Sequence, residues 1–437
     1  MKGLPKIITL KEHEELKLKG LKDCQIEELK SFLNENGKDG GNKPQHLGIG
    51  VNFNCLSASY YIGADWLDKD HAVVVTPKIE NLDFVEMFVC ALGCEPASKY
   101  FSDCYNFDFD CEPIQTNVFK KQLTPLIIVL FLDVLKKIIK RGLKKSYVIR
   151  TENLQSKIKG KIKISQHIKK NIILQREDRV FCQYQEYTVD NLENRLLKKA
   201  LNFAGMYVRN NLNKHSPSLI STLNKLSPYF IDVSEEIELH ELKSACNSGF
   251  YKEYTEGIRL AKMILRMFGF AISATKTESD ITPPFWIDMP RLYEVYVYSK
   301  LFEKYGERIQ FQVEGYRGTT VDFVDVENKL IIDTKYKPRY DDGNKYILDD
   351  IRQISAYARD KNILKTLGYK DGYCHGLIRC LIIYPEKVIV SDKDKDGNVL
   401  PDDCPEFDNS QELISQAQPI NGFNEFYKLR CRMPREQ

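Results

Sequence analysis

Thr320–Tyr336 reads TVDFVDVENKLIIDTKY, and how this stretch folds decides the rest. Val321–Val326 and Leu330–Tyr336 are rich in β-branched and apolar residues, with the polar break Glu327-Asn328-Lys329 between them, so the stretch predicts a β-hairpin. The period of two along a strand puts Ile331, Asp333 and Lys335 on one face and Ile332, Thr334 and Tyr336 on the other. A two-residue turn would bring Asp322 opposite Asp333 or Lys335, and a three-residue loop would shift the pairing by half a step. Two carboxylates and an amine then converge. Metal-assisted phosphodiester hydrolysis needs such a set: hard oxygen ligands for Mg²⁺, and a cation that orients the attacking water and offsets phosphate charge. The alternative is a half-buried hairpin with a solvated charged face, because Asp-x-Lys is a common tripeptide.

The flanking segments add two candidates. Pro290–Tyr305 (PRLYEVYVYSKLFEKY) follows the helix-start signals Asp288 and Pro290 and is apolar nearly all round. Glu294 lies inside that helix, where an ionised carboxylate is costly unless it is paired or metal-bound. An ion pair with Arg291 or Lys300 accounts for it equally well. Beyond the hairpin, Asp349–Asp360 (DDIRQISAYARD) predicts a helix with Gln353 and Tyr357 four apart on one face.

These residues resemble the PD-(D/E)-x-K nucleases. Asp322 matches the first acid, Asp333-Thr334-Lys335 the D-x-K, Glu294 the helix glutamate, and Gln353-x-x-x-Tyr357 the Q-x-x-x-Y of the RecB-like branch; Val321 stands where proline often precedes the first acid. Within that superfamily the chain resembles the McrC family, nuclease subunits of GTP-dependent restriction systems that act on 5-methylcytosine DNA. The resemblance implies a Mg²⁺-dependent DNA endonuclease acting on double-stranded DNA in phage defence. Asp322 and Asp333 would be metal ligands, Glu294 a ligand through water, Lys335 the residue that positions the nucleophile, and Gln353 and Tyr357 the shapers of the site. It also implies a partner, a hexameric McrB-like AAA+ GTPase stimulated by this chain. Two other readings stay open: a stand-alone RecB-like exonuclease, and a non-catalytic DNA-binding adaptor of a motor.

Composition sets the outer bounds. A chain of 437 residues has length for roughly three domains, and a net charge of +3 names no partner. The 12 cysteines include no C-x-x-C pair and the seven histidines no H-x₃-H cluster, which argues against zinc and for free thiols in a reducing cytoplasm. The longest apolar run, Pro125–Leu132, is too short to span a membrane, so a soluble, cytoplasmic protein is expected. No G-x-x-x-x-G-K-[ST] occurs, so nucleotide hydrolysis is assigned to another polypeptide.

The remaining sequence suggests an α+β and α/β multidomain chain: a β-rich, partner-binding domain at 1–120, a basic and helical middle region at 121–280, and a restriction-endonuclease-like α/β domain at 281–437. Met1 to about Asn36 is charged and helix-favouring and ends in the break GKDGGNKP. Leu47–Ile79 reads as short strands in a barrel or meander. The block VVVTPKIENLDFVEMFVCALG, with Thr76-Pro77-Lys78-Ile79, also resembles the N-terminal part of the McrC family. Ser98–Phe119 suits an exposed interaction loop or an insertion. Between Lys136 and Arg176 fourteen Lys and Arg face Glu152 alone, a formal +13. Its centre, KIKGKIKIS, alternates Lys157, Lys159, Lys161 and Lys163 with isoleucines, which predicts a strand with one basic face. That face suits DNA phosphates, an acidic partner, or an edge strand guarded against aggregation. In Tyr187–Asn210, Asp190 with Glu193 reads as a capping box ahead of an amphipathic helix. Cys380–Tyr384 and Val388–Val390 suggest closing strands. Ser391–Pro405 lacks the final Glu of a calcium loop.

Overall fold

The computed structural model describes residues 6–17, 48–52, 55–68, 70–108, 111–211, 216–237, 252–273, 281–338, 347–386, 407 and 412–436. The chain divides into two compact units, Met1–Gln122 with Asp280–Gln437, and Leu123–Ser279. The break at 37–44, the strand suggested at Val388–Val390 and the loop Ser391–Pro405 lie outside the described residues.

In the first unit the N-terminal and C-terminal segments share a sheet, although the sequence suggested separate domains for them. Its five strands run in the order Ile7–Lys11, Ala72–Thr76, Tyr61–Trp66, Phe285–Asp288 and Tyr105–Phe107. The strand Phe285–Asp288 is antiparallel to both of its neighbours and sits between them. Gly63 permits the close approach, since a Cβ there would stand 1.9 Å from the Phe285 carbonyl oxygen. Two expectations are corrected in this region. Ile7–Lys17 is not helical: Ile8 and Leu10 alternate into the core, and Ile7–Lys11 pairs in parallel with Ala72–Thr76. Nor is Ser98–Phe119 an exposed loop. Phe101 and Phe119 are buried, and the Phe107 ring stacks on Phe285 at 5.1 Å, because aromatic area in this acidic stretch is worth more in the core than in water.

The hairpin belongs to a six-stranded sheet ordered Ile309–Glu314, Thr320–Asp325, Leu330–Thr334, Arg379–Pro385, Phe426–Cys431 and Gln418–Pro419. Leu330–Thr334 runs parallel to Arg379–Pro385, and the first three strands are antiparallel. Alternation along each strand gives the sheet two covered faces. Phe311 and Phe323 meet Tyr298 of the helix Met289–Tyr305, the Tyr298 and Phe311 rings stacking at 4.5 Å. On the other face Val324 and Ile331 pack with Ile351 and Ile354 of the helix Ile347–Tyr357 and with Ile363 and Leu364. The helix Met289–Tyr305 begins as its sequence predicts, with the Asp288 carboxylate accepting from the Arg291 amide at 3.0 Å. Its apolar residues run all round because it also packs against the helix Phe84–Gly93.

The second unit is not purely helical. Ser146–Gln155 and Arg179–Thr188 pair over ten residues each, with the two-residue strand Lys161–Ile162 on the outer side. The helices Leu192–Asn211 and Lys252–Ser273 pack together, with Ser216–Leu226 alongside. The cap of Leu192–Asn211 is Asn191, whose side chain accepts from the Asn194 amide at 3.0 Å. Asp190 is instead a hub. Its carboxylate receives Arg195 Nε and Nη2 and Arg150 Nη2 at 2.7 Å each, and the Ser234 amide at 2.9 Å. Two guanidiniums outcompete a helix amide for one carboxylate, so the capping role passes to the next side chain. Among the described residues no helix is long and apolar enough to cross a membrane.

Candidate active site

The hairpin register runs Phe323↔Ile332, Val324↔Ile331 and Asp325↔Leu330, which sets Asp322 across from Asp333 on the face shared with Val324 and Ile331. The turn is Val326–Lys329, longer than either loop considered from sequence. Asp325 makes that length stable: its carboxylate accepts from the Asn328 amide at 3.1 Å and Asn328 Nδ2 at 3.0 Å, with Arg308 at 3.3 Å. Four loop residues keep the two acids in register, as a two-residue turn would have done.

Each group on that face has a defined partner. Asp322 Oδ2 accepts from the Thr334 amide at 2.7 Å and the Thr334 hydroxyl at 2.6 Å. Asp333 is 2 % exposed, and its Oδ2 has no hydrogen-bond partner of normal geometry, only the Lys335 ammonium 2.5 Å away. Burial, and then the charge of Asp322, push the Asp333 carboxyl up to about 7. Burial works against the Lys335 ammonium, but the carboxylates of Asp333 and Asp322 overcome it and hold Lys335 above its ordinary value. Lys335 Nζ also donates to Gln353 Oε1 at 3.0 Å, and Gln353 Nε2 donates to the Tyr357 hydroxyl at 2.8 Å. Asp322, Asp333, Lys335, Gln353 and Tyr357 thus come together, the last two because they are one helical turn apart.

Glu294 is buried on the helix Met289–Tyr305, with Arg291 Nη1 2.7 Å from its Oε2 and Gln312 Nε2 on its Oε1. The ion pair that sequence allowed is present, with Arg291; the Lys300 ammonium lies over the Tyr296 ring. Glu294 also feels the hairpin, since burial and then the charge of Asp322 raise it to about 8. Two participants had no sequence signal. Gln312 has a left-handed backbone, φ 53°, in mid-strand, and the ladder pairs Phe311↔Phe323 and Val313↔Val321 but omits it, directly beside Asp322. Asp350, buried in the helix that carries Gln353, takes Lys337 Nζ on both oxygens at 2.9 Å. A polar residue in an alternating strand and a first-turn aspartate both read as ordinary solvated positions.

The lysines of the second unit are arranged differently from expectation. Only Lys161 and Ile162 of KIKGKIKIS are in a strand; Lys163 immediately precedes a short helix, and Lys157 and Lys159 precede the break. Gly160, at φ 63°, packs so closely on the Gln183 carbonyl that a Cβ would stand 2.5 Å from it, which ends the alternation. Lys159 instead lies 4.5 Å over the Tyr184 ring, at the rim of a cavity of about 600 Å³ bordered by Ile149, Gln183 and Gln185. Lys157, Lys159 and Lys161 remain exposed.

Among the described residues no three His, Cys, Asp or Glu side chains form a ready-made metal cluster. Two carboxylates on adjacent strands still suit Mg²⁺, which keeps several waters and uses one or two protein carboxylates plus phosphate oxygens. The buried Asp333 carboxylate, whose Oδ2 meets only the Lys335 ammonium, and the repulsion that Asp322 exerts on both Asp333 and Glu294 are features that a cation would relieve.

Two solved structures are similar over much of their length. One is the refined half-complex from a tetradecameric assembly of Thermococcus gammatolerans McrB AAA+ hexamers with bound McrC; identity is 15 %, TM-score 0.37, with 98 % of this chain and 94 % of that chain covered. The other is the Thermococcus gammatolerans McrBC complex determined by cryo-EM, at 18 % identity and TM-score 0.29, covering 68 % of this chain and 88 % of that one. No curated protein matches. The sequence profile of the McrBC 5-methylcytosine restriction system component family matches residues 56–367, a span that holds all six candidate site residues and more than two thirds of the chain. The chain belongs to the McrBC 5-methylcytosine restriction system component family.

Proposed function

We propose that this chain is the Mg²⁺-dependent DNA endonuclease subunit of a GTP-dependent restriction complex. The observation that carries the reading is the linked row Asp322, Asp333, Lys335, Gln353 and Tyr357, in which a buried carboxylate, paired only with the Lys335 ammonium at its Oδ2, faces a second carboxylate. A structural ion pair needs only one acid. Asp322 and Asp333 would hold the ion, with Glu294 acting through water. Mg²⁺ bound there supplies Lewis-acid neutralisation of the scissile phosphate.

The chain's own groups do the rest. Lys335 stays an ammonium in the field of two carboxylates, so it donates to an attacking water and offsets charge on the phosphate. Gln353 commits its carbonyl oxygen to that ammonium and its amide to Tyr357, which fixes the Lys335 side chain in one direction. The Tyr357 hydroxyl, at the outer end of this row, contacts the substrate backbone. Thr334 binds one oxygen of Asp322 twice, so the other oxygen is free to face the ion. The fold that holds this row is a restriction-endonuclease-like PD-(D/E)-x-K domain, with the sheet covered by a helix on each face.

The proposed partners are an McrB-like AAA+ GTPase hexamer and double-stranded DNA carrying 5-methylcytosine, in keeping with a family described as a component of a restriction system. Lys157, Lys159, Lys161 and Lys163 are proposed contacts for DNA or for that partner. The test is cleavage of methylated plasmid by the chain together with its GTPase partner and GTP. Cleavage in Mg²⁺ that stops in EDTA supports the proposal; a complex that cleaves equally well in EDTA overturns the metal-dependent reading.

A further inference from the structure

Lys335 is the first residue past the end of its strand, Leu330–Thr334, and one backbone bond, from its amide to the Ile383 carbonyl at 2.9 Å, carries the pairing beyond the ladder. Its side-chain direction therefore depends on what holds the next residue, because neighbours in extended chain point to opposite sides. That residue, Tyr336, is buried against the N-terminal segment. Lys78 Nζ donates to the Tyr336 carbonyl at 2.8 Å and lies 4.0 Å over the Tyr336 ring. The Tyr336 hydroxyl donates to Glu12 Oε2 at 3.3 Å, and the same carboxylate accepts from the Lys78 amide at 2.9 Å. Glu12 Oε1 has the Lys78 ammonium 4.0 Å away, and the Tyr293 ring stands 5.7 Å from Tyr336. The chain then turns sharply, with the Lys337 amide on the Lys335 carbonyl at 2.7 Å.

We infer that Lys78 and Glu12 are positioning residues for Lys335: they clamp Tyr336 from the N-terminal side and thereby aim the Lys335 ammonium at Asp333 and Gln353. This gives the Thr76-Pro77-Lys78-Ile79 segment a task in the nuclease site, although Lys78 and Tyr336 are 258 residues apart in sequence. The inference rests on the nuclease reading. A half-buried ammonium is a costly way to fill space, and here it satisfies the carbonyl whose placement sets the neighbouring side chain.

The test is steady-state cleavage of methylated plasmid by the full complex in Mg²⁺, with Asp333→Ala as the reference for an inactive site. Lys78→Met removes the donor to the Tyr336 carbonyl while keeping most of the side-chain volume, and Lys78→Arg restores a cation with donors. The inference expects kcat at least about 10-fold lower for Lys78→Met with KM for DNA unchanged, and recovery to within about 3-fold by Lys78→Arg. Wild-type kcat in Lys78→Met while Asp333→Ala is inactive overturns it and leaves the nuclease reading standing, as does a loss that Lys78→Arg does not recover. Cleavage by Asp333→Ala would instead remove the nuclease reading, and this inference with it. Should Lys78→Met not fold, Glu12→Gln carries the same test: it keeps the shape but removes the charge that faces the Lys78 ammonium, and a several-fold fall in kcat at constant KM is expected, whereas an unchanged kcat overturns the clamp.

Discussion

Replacing Asp333 by Asn should make the metal-free protein more stable at alkaline pH while destroying its activity. In the folded chain burial and the facing Asp322 lift the Asp333 carboxyl from its ordinary 3.8 to about 7. Unfolded, it ionises near the ordinary value. Between those two pH values the folded protein holds a proton that the unfolded chain has released, so stability falls as pH rises from about 4 through about 7 and the loss is complete above that. At about 1.4 kcal/mol for each tenfold change in proton affinity, the ceiling of that loss is about 4 kcal/mol. Asn cannot ionise and escapes it. It also gives up the ion pair with Lys335, so a net gain of about 1–2 kcal/mol is expected at pH 8. The assay is urea unfolding in EDTA at pH 5, 6, 7 and 8, comparing wild type with Asp333→Asn. The variant should draw ahead steadily with pH, and Mg²⁺ should stabilise wild type alone. An Asp333→Asn protein less stable than wild type at pH 8 in EDTA, or a difference that does not change with pH, refutes the reasoning.

Three further outcomes are expected. Asp190→Ala leaves Arg150 and Arg195 without their shared carboxylate and should cost about 3 kcal/mol, measured as urea midpoints of the purified chain; a loss under about 1 kcal/mol would contradict the hub. The hydrogen bonds from Arg195, against the opposing effect of burial, hold Asp190 far below the usual carboxylate range, so this contribution is present at neutral pH and is lost only as pH falls through that low value. Changing Lys157, Lys159, Lys161 and Lys163 together to Gln should flatten the salt dependence of DNA binding by about 0.9 in slope for each phosphate no longer neutralised, and an unchanged slope with weakened partner binding would assign the lysines to the partner. A chain cut after Ser279 should lose amide protection along Tyr61–Trp66, because the strand Phe285–Asp288 that pairs with it is gone; protection equal to the full chain would contradict the shared sheet.

The sequence was most legible where local chemistry and long-range packing agree. The hairpin, the helix with Glu294 and the helix with Gln353 and Tyr357 each carried their own period and caps, and the structure forms all three. Strand alternation placed Asp333 and Lys335 on one side in the sequence reading, and the pairing that continues one residue past the strand keeps them there. What escaped was set by distant partners. Met1 to about Asn36 is charged enough as a whole to suit a helix, but Ile7–Lys11 within it, IITLK, joins the edge of Ala72–Thr76 as a strand. Phe285–Asp288 has no local sign that it pairs with Tyr61–Trp66, far earlier in the chain. Gly160 looked like a pause within a basic strand, yet the Gln183 carbonyl makes it the point where the alternation ends. Gln312 became visible only when its backbone conformation placed it beside Asp322 and Glu294. In the candidate site the acids and the ammonium were readable from spacing. Their supports, Gln312, Asp350, Glu12 and Lys78, were not, because each comes from another element.

The central claim is that Asp322, Asp333 and Lys335 cut DNA while another surface of the chain serves the partner. The most direct measurement reads both activities in one tube: GTP turnover by the partner and cleavage of methylated plasmid, with wild-type chain or with Asp333→Ala. The account predicts turnover equal to wild type and cleavage reduced to background in the variant, because the proposed role of Asp333 is to hold the metal and not to engage the partner. Cleavage retained by a folded Asp333→Ala chain would contradict it.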